Sequence, residues 1–275
     1  MSFKAEGFLS KEVANWTNDI RKKYERIFAL ADDLNLLVNR TIPRIKGTRR
    51  DAQTVAVTGL YLRAIQAYQG VIILAEKGMI ADSRSLLRNV CETTIKMGAI
   101  AKDASYVQAL HDGDDTHRIT LGKALIDKKF VEEFGGGEHI ERIAAAVAQI
   151  EAEREGDKAT RTSLEAMAVF AGLQPLYNTI FRGTSGDAAH ATLGAIERHL
   201  WVSDDKSDCK FLFVPSEEDL ENTLHASVFV VLETLGILLT VFPQSDSAVE
   251  TEQLQKRYSK FLQDLDSSRG QMAQE

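Results

Sequence analysis

Apolar residues recur at intervals of three and four along most of the chain, the period of a helix that buries one face. Val13, Trp16, Ile20, Ile27, Leu30, Leu34 and Leu37 fall on a heptad seam interrupted only at Lys23, which predicts a first long helix from about Lys11 to Asn39. Ser10 stands where an N-cap is needed, and Glu12 suits the positive end of the helix dipole. A seam of this kind packs against antiparallel neighbours or a partner chain. A second long helix, from about Asp51 to Lys77, carries the stripe Val57, Leu60, Ala64, Ala67, Val71 and Leu74 and stops at Gly78. A third runs from near Asp82 to Lys102. Only Gly78 to Ala81 separate the second and third, so they form a tight helical hairpin.

Residues 103–134 are more polar and predict shorter helices; Gly135, Gly136 and Gly137 then break the pattern. Ile140, Ile143, Val147 and Ile150 mark an amphipathic helix that fades into the charged run Glu151 to Lys158, so about 135–158 reads as a projecting arm or dimer strut. Thr162 to Gly183 predicts one or two helices, with Pro175 near the start of the second, and Asp187 to Leu200 predicts another. Val202 to Pro215 is irregular, with Phe211 to Val214 as a short extended piece. Ser216 and Asp219 have the spacing of a capping box, with Asp in place of Glu or Gln.

The longest apolar run, Ala226 to Phe242, is short of the ~20 residues a bilayer span needs and carries Glu233 near its middle. It reads as a buried core helix that Pro243 ends. A last amphipathic helix carries Leu254, Phe261 and Leu265, with a frayed tail expected over about 267–275. The pattern gives an all-α fold, an antiparallel multi-helix bundle in one domain over 1–275.

Composition agrees. Four prolines and 7% aromatics suit long helices and argue against an all-β chain. Cys91 and Cys209 give no disulfide framework, and Cys91 lies inside an apolar helical pattern as a small buried hydrophobe. Residues Met1 to Ser10 lack an apolar signal segment, so a cytoplasmic protein without a membrane contact is expected. A net charge of −7 opposes non-specific nucleic-acid binding over the whole surface and leaves room for a local basic site. From Leu34 to Arg50 every charge is positive: Arg40, Arg44, Lys46, Arg49 and Arg50 offer phosphate or RNA contacts, or form a solvated loop.

No phosphate-cradling loop, no zinc-spaced cysteines and no His-Glu-x-x-His stand in the sequence, so neither a metal nor a cofactor is expected. Two polar constellations lie on apolar helices. Arg84, Arg88 and Glu92 recur at four and line one face of the third helix, either as an ion pair tying helices together or as an anion-binding Arg held by Glu92. Tyr177, Arg182, Ser185 and His190 form the second. A His there suits proton transfer near neutral pH, and an Arg suits stabilising charge on phosphate.

The runs "LAEKGM", "ADSRSLLRNVCETTIKMGAI" and "YNTIFRGTSGDAAHATL" resemble a bacterial helical family catalogued as domain of unknown function 5677, over roughly Leu60 to Phe242. The resemblance pairs the Arg and Glu of the third helix with a later Tyr, Ser and His, here Tyr177, Ser185 and His190. That family is distantly similar to the HEPN (higher eukaryotes and prokaryotes nucleotide-binding) superfamily. Many HEPN proteins are metal-independent ribonucleases of toxin–antitoxin and phage-defence systems, completed across a homodimer. The resemblance therefore implies His190 as acid or base and Arg182 as the phosphate-stabilising cation, although seven residues separate them, wider than the HEPN motif. Three functions follow as expectations: a non-enzymatic binding or scaffold protein of a stress or phage-defence system, a HEPN-like ribonuclease, and a small-ligand sensor with Arg88 and Glu92 in a bundle pocket. A homodimer is expected, with protein partners on the helical seams or RNA on the basic loop.

Overall fold

Tyr24 breaks the first predicted helix in two at the point where the heptad seam lapses. The computed structural model describes residues 2–46, 51–134, 137–155, 162–188, 192–205 and 207–272. A short turn of helix, α1 (Phe3–Glu6), precedes α2 (Val13–Lys23), and Tyr24, at φ −110° and ψ 33°, separates α2 from α3 (Glu25–Thr41). The Ser10 hydroxyl accepts from the Glu12 N–H at 3.2 Å in the turn before α2, but the N-cap position is Glu12, whose side chain makes no capping bond, so Ser10 does not cap the helix as expected. The seam itself is buried within the chain: Ile20, Ile27, Leu30, Leu34 and Leu37 all lie in the core. Of the two alternatives for the seam, these residues pack against neighbouring helices of the same chain.

Asp51 caps α4 (Ala52–Ala75) by accepting from the N–H groups of Gln53 and Thr54. The buried face of α4 is turned from the predicted stripe. Val57, Ala64 and Val71 are buried as expected, but Tyr61, Ile65, Tyr68, Ile72 and Ala75 complete the face in place of Leu60, Ala67 and Leu74. The reason is the phenols, which bury large rings only if their hydroxyls find acceptors. Tyr61 donates to the Val38 carbonyl at 3.0 Å and Tyr68 to the Ala31 carbonyl at 2.9 Å, tying α4 to α3. Burial pushes the pKa of both phenols well above its ordinary value.

Gly78 (φ 74°) turns the chain into α5 (Ile80–Lys102), which packs along α4 as the predicted hairpin. The polar stretch that follows forms one long helix, α6 (Tyr106–Leu125), then α7 (Lys128–Phe134), rather than several short pieces. Next come α8 (Gly137–Glu155), α9 (Leu164–Ala171) and α10 (Gln174–Leu176), the last running into a π turn over Tyr177–Phe181. Of the stretch Asp187 to Leu200, read as one helix, the described residues hold α11 (Ser185–Ala188) and α12 (Leu193–Glu197), and 189–191 lie outside the described residues. The strand β1 (Leu200–Val202) then pairs antiparallel with β2 (Cys209–Phe211). The apolar run is α13 (Leu220–Val241), and α14 (Ser245–Met272) closes the bundle, running past Asp266 where fraying was expected.

The central helix is α13. It packs on α5, α4, α3 and α14, and a bond of 2.6 Å between the buried hydroxyls of Thr94 and Thr234 joins it to α5. By length and composition it is apolar enough to cross a membrane, yet Leu220, Leu224, Val228, Val231, Leu235 and Leu238 are buried inside this bundle. Glu233 lies half-buried on its outer face, where burial pushes its carboxyl pKa up.

The helix read as an arm, α8, packs chiefly on α6. The contact is close because Gly122 has no side chain: a Cβ there would lie 2.3 Å from Val147 Cγ2. Lys123 and Glu151 pair across the same seam at 2.6 Å. Gly122→Leu is expected to lever α8 off α6 at the cost of about 1–3 kcal/mol typical of overpacking. Limited trypsin digestion would show it as faster cutting within α8, with helix content by circular dichroism nearly unchanged.

Candidate functional site

Successive turns of α5 place Arg84, Arg88, Glu92 and Lys96 along one side of the helix, as their four-residue spacing requires. The structure divides this row into two different environments.

At the Arg84 end the charges are closed on themselves. Arg84 Nε donates to Asp187 Oδ2 and its Nη2 donates to the Gly183 carbonyl at 2.9 Å. Arg198 donates to Asp187 Oδ1 at 2.9 Å and to Asp219 Oδ2 at 2.8 Å. Asp187 is 8% exposed at its side chain, and the two arginines are 16% and 17% exposed. Asp219 is the residue expected in a capping box, but it adopts φ 62° and caps nothing with its side chain. Its carboxylate faces the arginines instead. The hydrogen bond from Arg198 holds the Asp219 pKa below the ordinary carboxylate value, against the opposing effect of burial. Nε and Nη2 of both arginines are bonded within the protein, so the quartet ties Gly183, Asp187, Arg198 and Asp219 to α5.

Arg88 is the hinge between the two environments. Its guanidinium lies 4.1 Å from the centroid of the Phe181 ring, and its Nε donates to Ser185 Oγ at 3.3 Å. The π turn presents Phe181 for this contact and stacks Tyr177 on it at 5.2 Å. Arg88 thus meets Ser185 directly and Tyr177 through the Phe181 ring. Glu92 does not hold Arg88 closely: the two are 3.9 Å apart, whereas Lys96 reaches Glu92 at 2.6 Å.

At the Glu92 end the row opens into a cavity of about 590 Å³. Its walls come from α5 (Glu92, Lys96), α6 (Ala109, Asp112, Gly113, Thr116), the last turn of α8 (Arg154) and the start of α9 (Thr162, Leu164, Met167). Sequence reading found Glu92 but missed Lys96, Asp112 and Arg154. These three lie on three helices separated in sequence, and no local spacing announces their convergence.

The remaining candidates fall elsewhere. Arg182 is exposed and pairs with no described carboxylate; His190 lies outside the described residues, as do Arg49 and Arg50. Arg40 pairs with Glu250 at 2.6 Å and Arg44 donates to Ser247 Oγ at 3.1 Å, so two of the basic residues dock α14 rather than stand as a phosphate-binding loop. Lys46 is exposed. Among the described residues no group of three His, Cys, Asp or Glu side chains is placed to hold a metal. Burial pushes the Cys91 thiol pKa well above its ordinary value, as suits a core residue.

One family model, described as a family of unknown function, matches residues 54–208, more than half of the chain and the whole of the cavity's lining. No curated protein and no solved structure matches the chain.

Proposed function

The chain belongs to the family of unknown function DUF5677, and on that footing, which fixes no activity, we propose that it is a non-enzymatic binding protein that takes up a small molecule in the cavity beside α5. One observation carries the reading: a hollow of 590 Å³ with apolar and charged walls from four helices. Small-molecule sites fall in the range of about 300–1,000 Å³ and combine apolar surface with a few placed polar groups. The first-helix seam, which favoured a protein scaffold, is spent inside the bundle. Glu92 serves the site as a wall residue, while Arg88 supports the wall from outside through Phe181 and Ser185.

Gly113 supplies the test. It lines the hollow, and a Cβ placed on it meets no atom within 4 Å. Gly113→Trp therefore adds a large ring to the wall of the hollow without a backbone clash, and it removes a mid-helix glycine that costs about 0.5–1 kcal/mol against alanine. A ligand present at about one hundred times its Kd stabilises a protein by about 2.7 kcal/mol. In a thermal-shift panel of amino acids, short peptides, mononucleotides and sugar phosphates, at least one class is expected to raise the wild-type melting temperature by several degrees and leave Gly113→Trp unmoved. A panel that never separates the two proteins would overturn the reading. Metal-free RNA cleavage by the wild type, lost in His190→Ala, would overturn its non-enzymatic part.

A further inference from the structure

Among the described residues the cavity wall carries two carboxylates (Glu92, Asp112) and two cations (Lys96, Arg154). They are not equivalent. Glu92 and Lys96 neutralise one another at 2.6 Å on adjacent turns of α5. Asp112 and Arg154 stand on different helices, α6 and α8, and form no ion pair with each other. Asp112 Oδ1 accepts from Gln108 Nε2 at 3.0 Å, and no described residue donates to its Oδ2. Arg154 pairs with no described carboxylate, although its side chain is only partly exposed. The same cavity is lined by the apolar side chains of Ala109, Leu164 and Met167. A cavity wall thus presents one acceptor charge, one donor charge and an apolar surface, with the two charges held apart.

We infer that the ligand is a zwitterion with an apolar body, of the amino-acid or short-peptide class: its ammonium meets Asp112, its carboxylate meets Arg154, and its side chain lies on Leu164 and Met167. This rests on the cavity being the binding element. A guanidinium matches a carboxylate in a two-bond fork, and an ammonium suits a carboxylate oxygen that lacks a donor. A polyanion would meet Asp112 and Glu92 as repulsive charges, and a simple amine would leave Arg154 unmatched.

The experiment is isothermal titration of the full chain with L-leucine and with L-leucyl-L-leucine, each beside its N-acetyl and C-amide analogues. One or both zwitterions are expected to bind, and each capped analogue is expected to bind about tenfold or more weaker, the scale of a charge-assisted hydrogen bond lost. Arg154→Gln is expected to erase the preference for the free carboxylate while keeping that for the ammonium; Asp112→Asn is expected to do the reverse. Which of the two parents binds tells a free amino acid from a peptide. The inference is overturned if neither zwitterion binds, if capped and uncapped forms bind alike, or if the two variants leave the preferences unchanged. A panel ligand that is blocked by Gly113→Trp but is a polyanion would sink this inference and leave the binding reading standing. If no ligand separates wild type from Gly113→Trp, both fall.

Discussion

Asp187→Ala is expected to cost about 3–5 kcal/mol, because it strips a buried carboxylate from between two mostly buried guanidiniums. Arg84 and Arg198 both donate to Asp187, and after its loss the Gly183 carbonyl stays with Arg84, and Asp219 is the one carboxylate left near them among the described residues. An arginine cannot relieve the loss by giving up its proton. The segment that carries Tyr177, Arg182 and Ser185 is tied to α5 through this carboxylate, and the Ser85 hydroxyl adds a bond to the Asp187 carbonyl at 3.1 Å. For a chain of this size, 1 kcal/mol moves the melting temperature by about 2–4 °C, so a fall of roughly 6–20 °C is expected. Differential scanning calorimetry checks it. Asp187→Asn keeps the shape and one acceptor, and is expected to lose less. A loss within the small range of surface substitutions would show that Asp219 and water suffice for both arginines.

The same quartet sets an acid limit. The Asp219 pKa lies below its ordinary value because Arg198 donates to it. Its contribution is therefore fully present above the unfolded value, about pH 3.9, and is lost as pH falls through the folded value. Asp219→Asn is expected to flatten the loss of stability in that acid window and to leave the slope near neutral pH unchanged.

Gly78→Ala is the second large effect. The residue sits at φ 74°, where an L side chain costs roughly 1–2 kcal/mol. An added Cβ would also lie 2.7 Å from the Ser216 N and 2.8 Å from the Pro215 Cα. Those are backbone atoms, and they are held in place because Ser216 N–H donates to the Gly78 carbonyl at 3.0 Å. Rotating a side chain cannot clear the clash. With an overpacking cost of about 1–3 kcal/mol added, a total of roughly 2–5 kcal/mol is expected, measured by urea unfolding. Gly113→Ala, on an exposed stretch of α6 with open space at its Cβ, is the control and is expected to be neutral or stabilising.

Gly78 also marks the boundary between what the chain says locally and what it says only when folded. That a glycine ends a helix is legible from three residues on either side, because the left-handed turn is a local requirement. That Pro215 and Ser216 close over it is not, since 137 residues of chain must first be laid down to bring them there. The same division runs through the candidate site. The four-residue spacing of Arg84, Arg88 and Glu92 placed them on one side of α5, since helix geometry alone decides that. Their partners were set by packing: Arg84 went to Asp187, Arg88 to Phe181 and Ser185, and Glu92 to Lys96 and the cavity. A spacing rule sees neighbours on one helix, and here the decisive neighbours sit on others.

What the sequence by itself determined was the all-α bundle, the hairpin around Gly78, the apolar core helix and membership of the family, because each rests on periodicity, end signals or short motifs within one element. Tertiary structure decided the break at Tyr24, the rotated face of α4 and the short β1–β2 pair, which falls mostly in a stretch that reads as irregular. It also decided the docking of Arg40 and Arg44 on α14 and the meeting of Asp112 and Arg154 across one hollow. The physical reason is common to all of these. Buried phenols, guanidiniums and carboxylates must find partners or remain unpaired at a cost of kilocalories, and the search for partners runs across the whole fold.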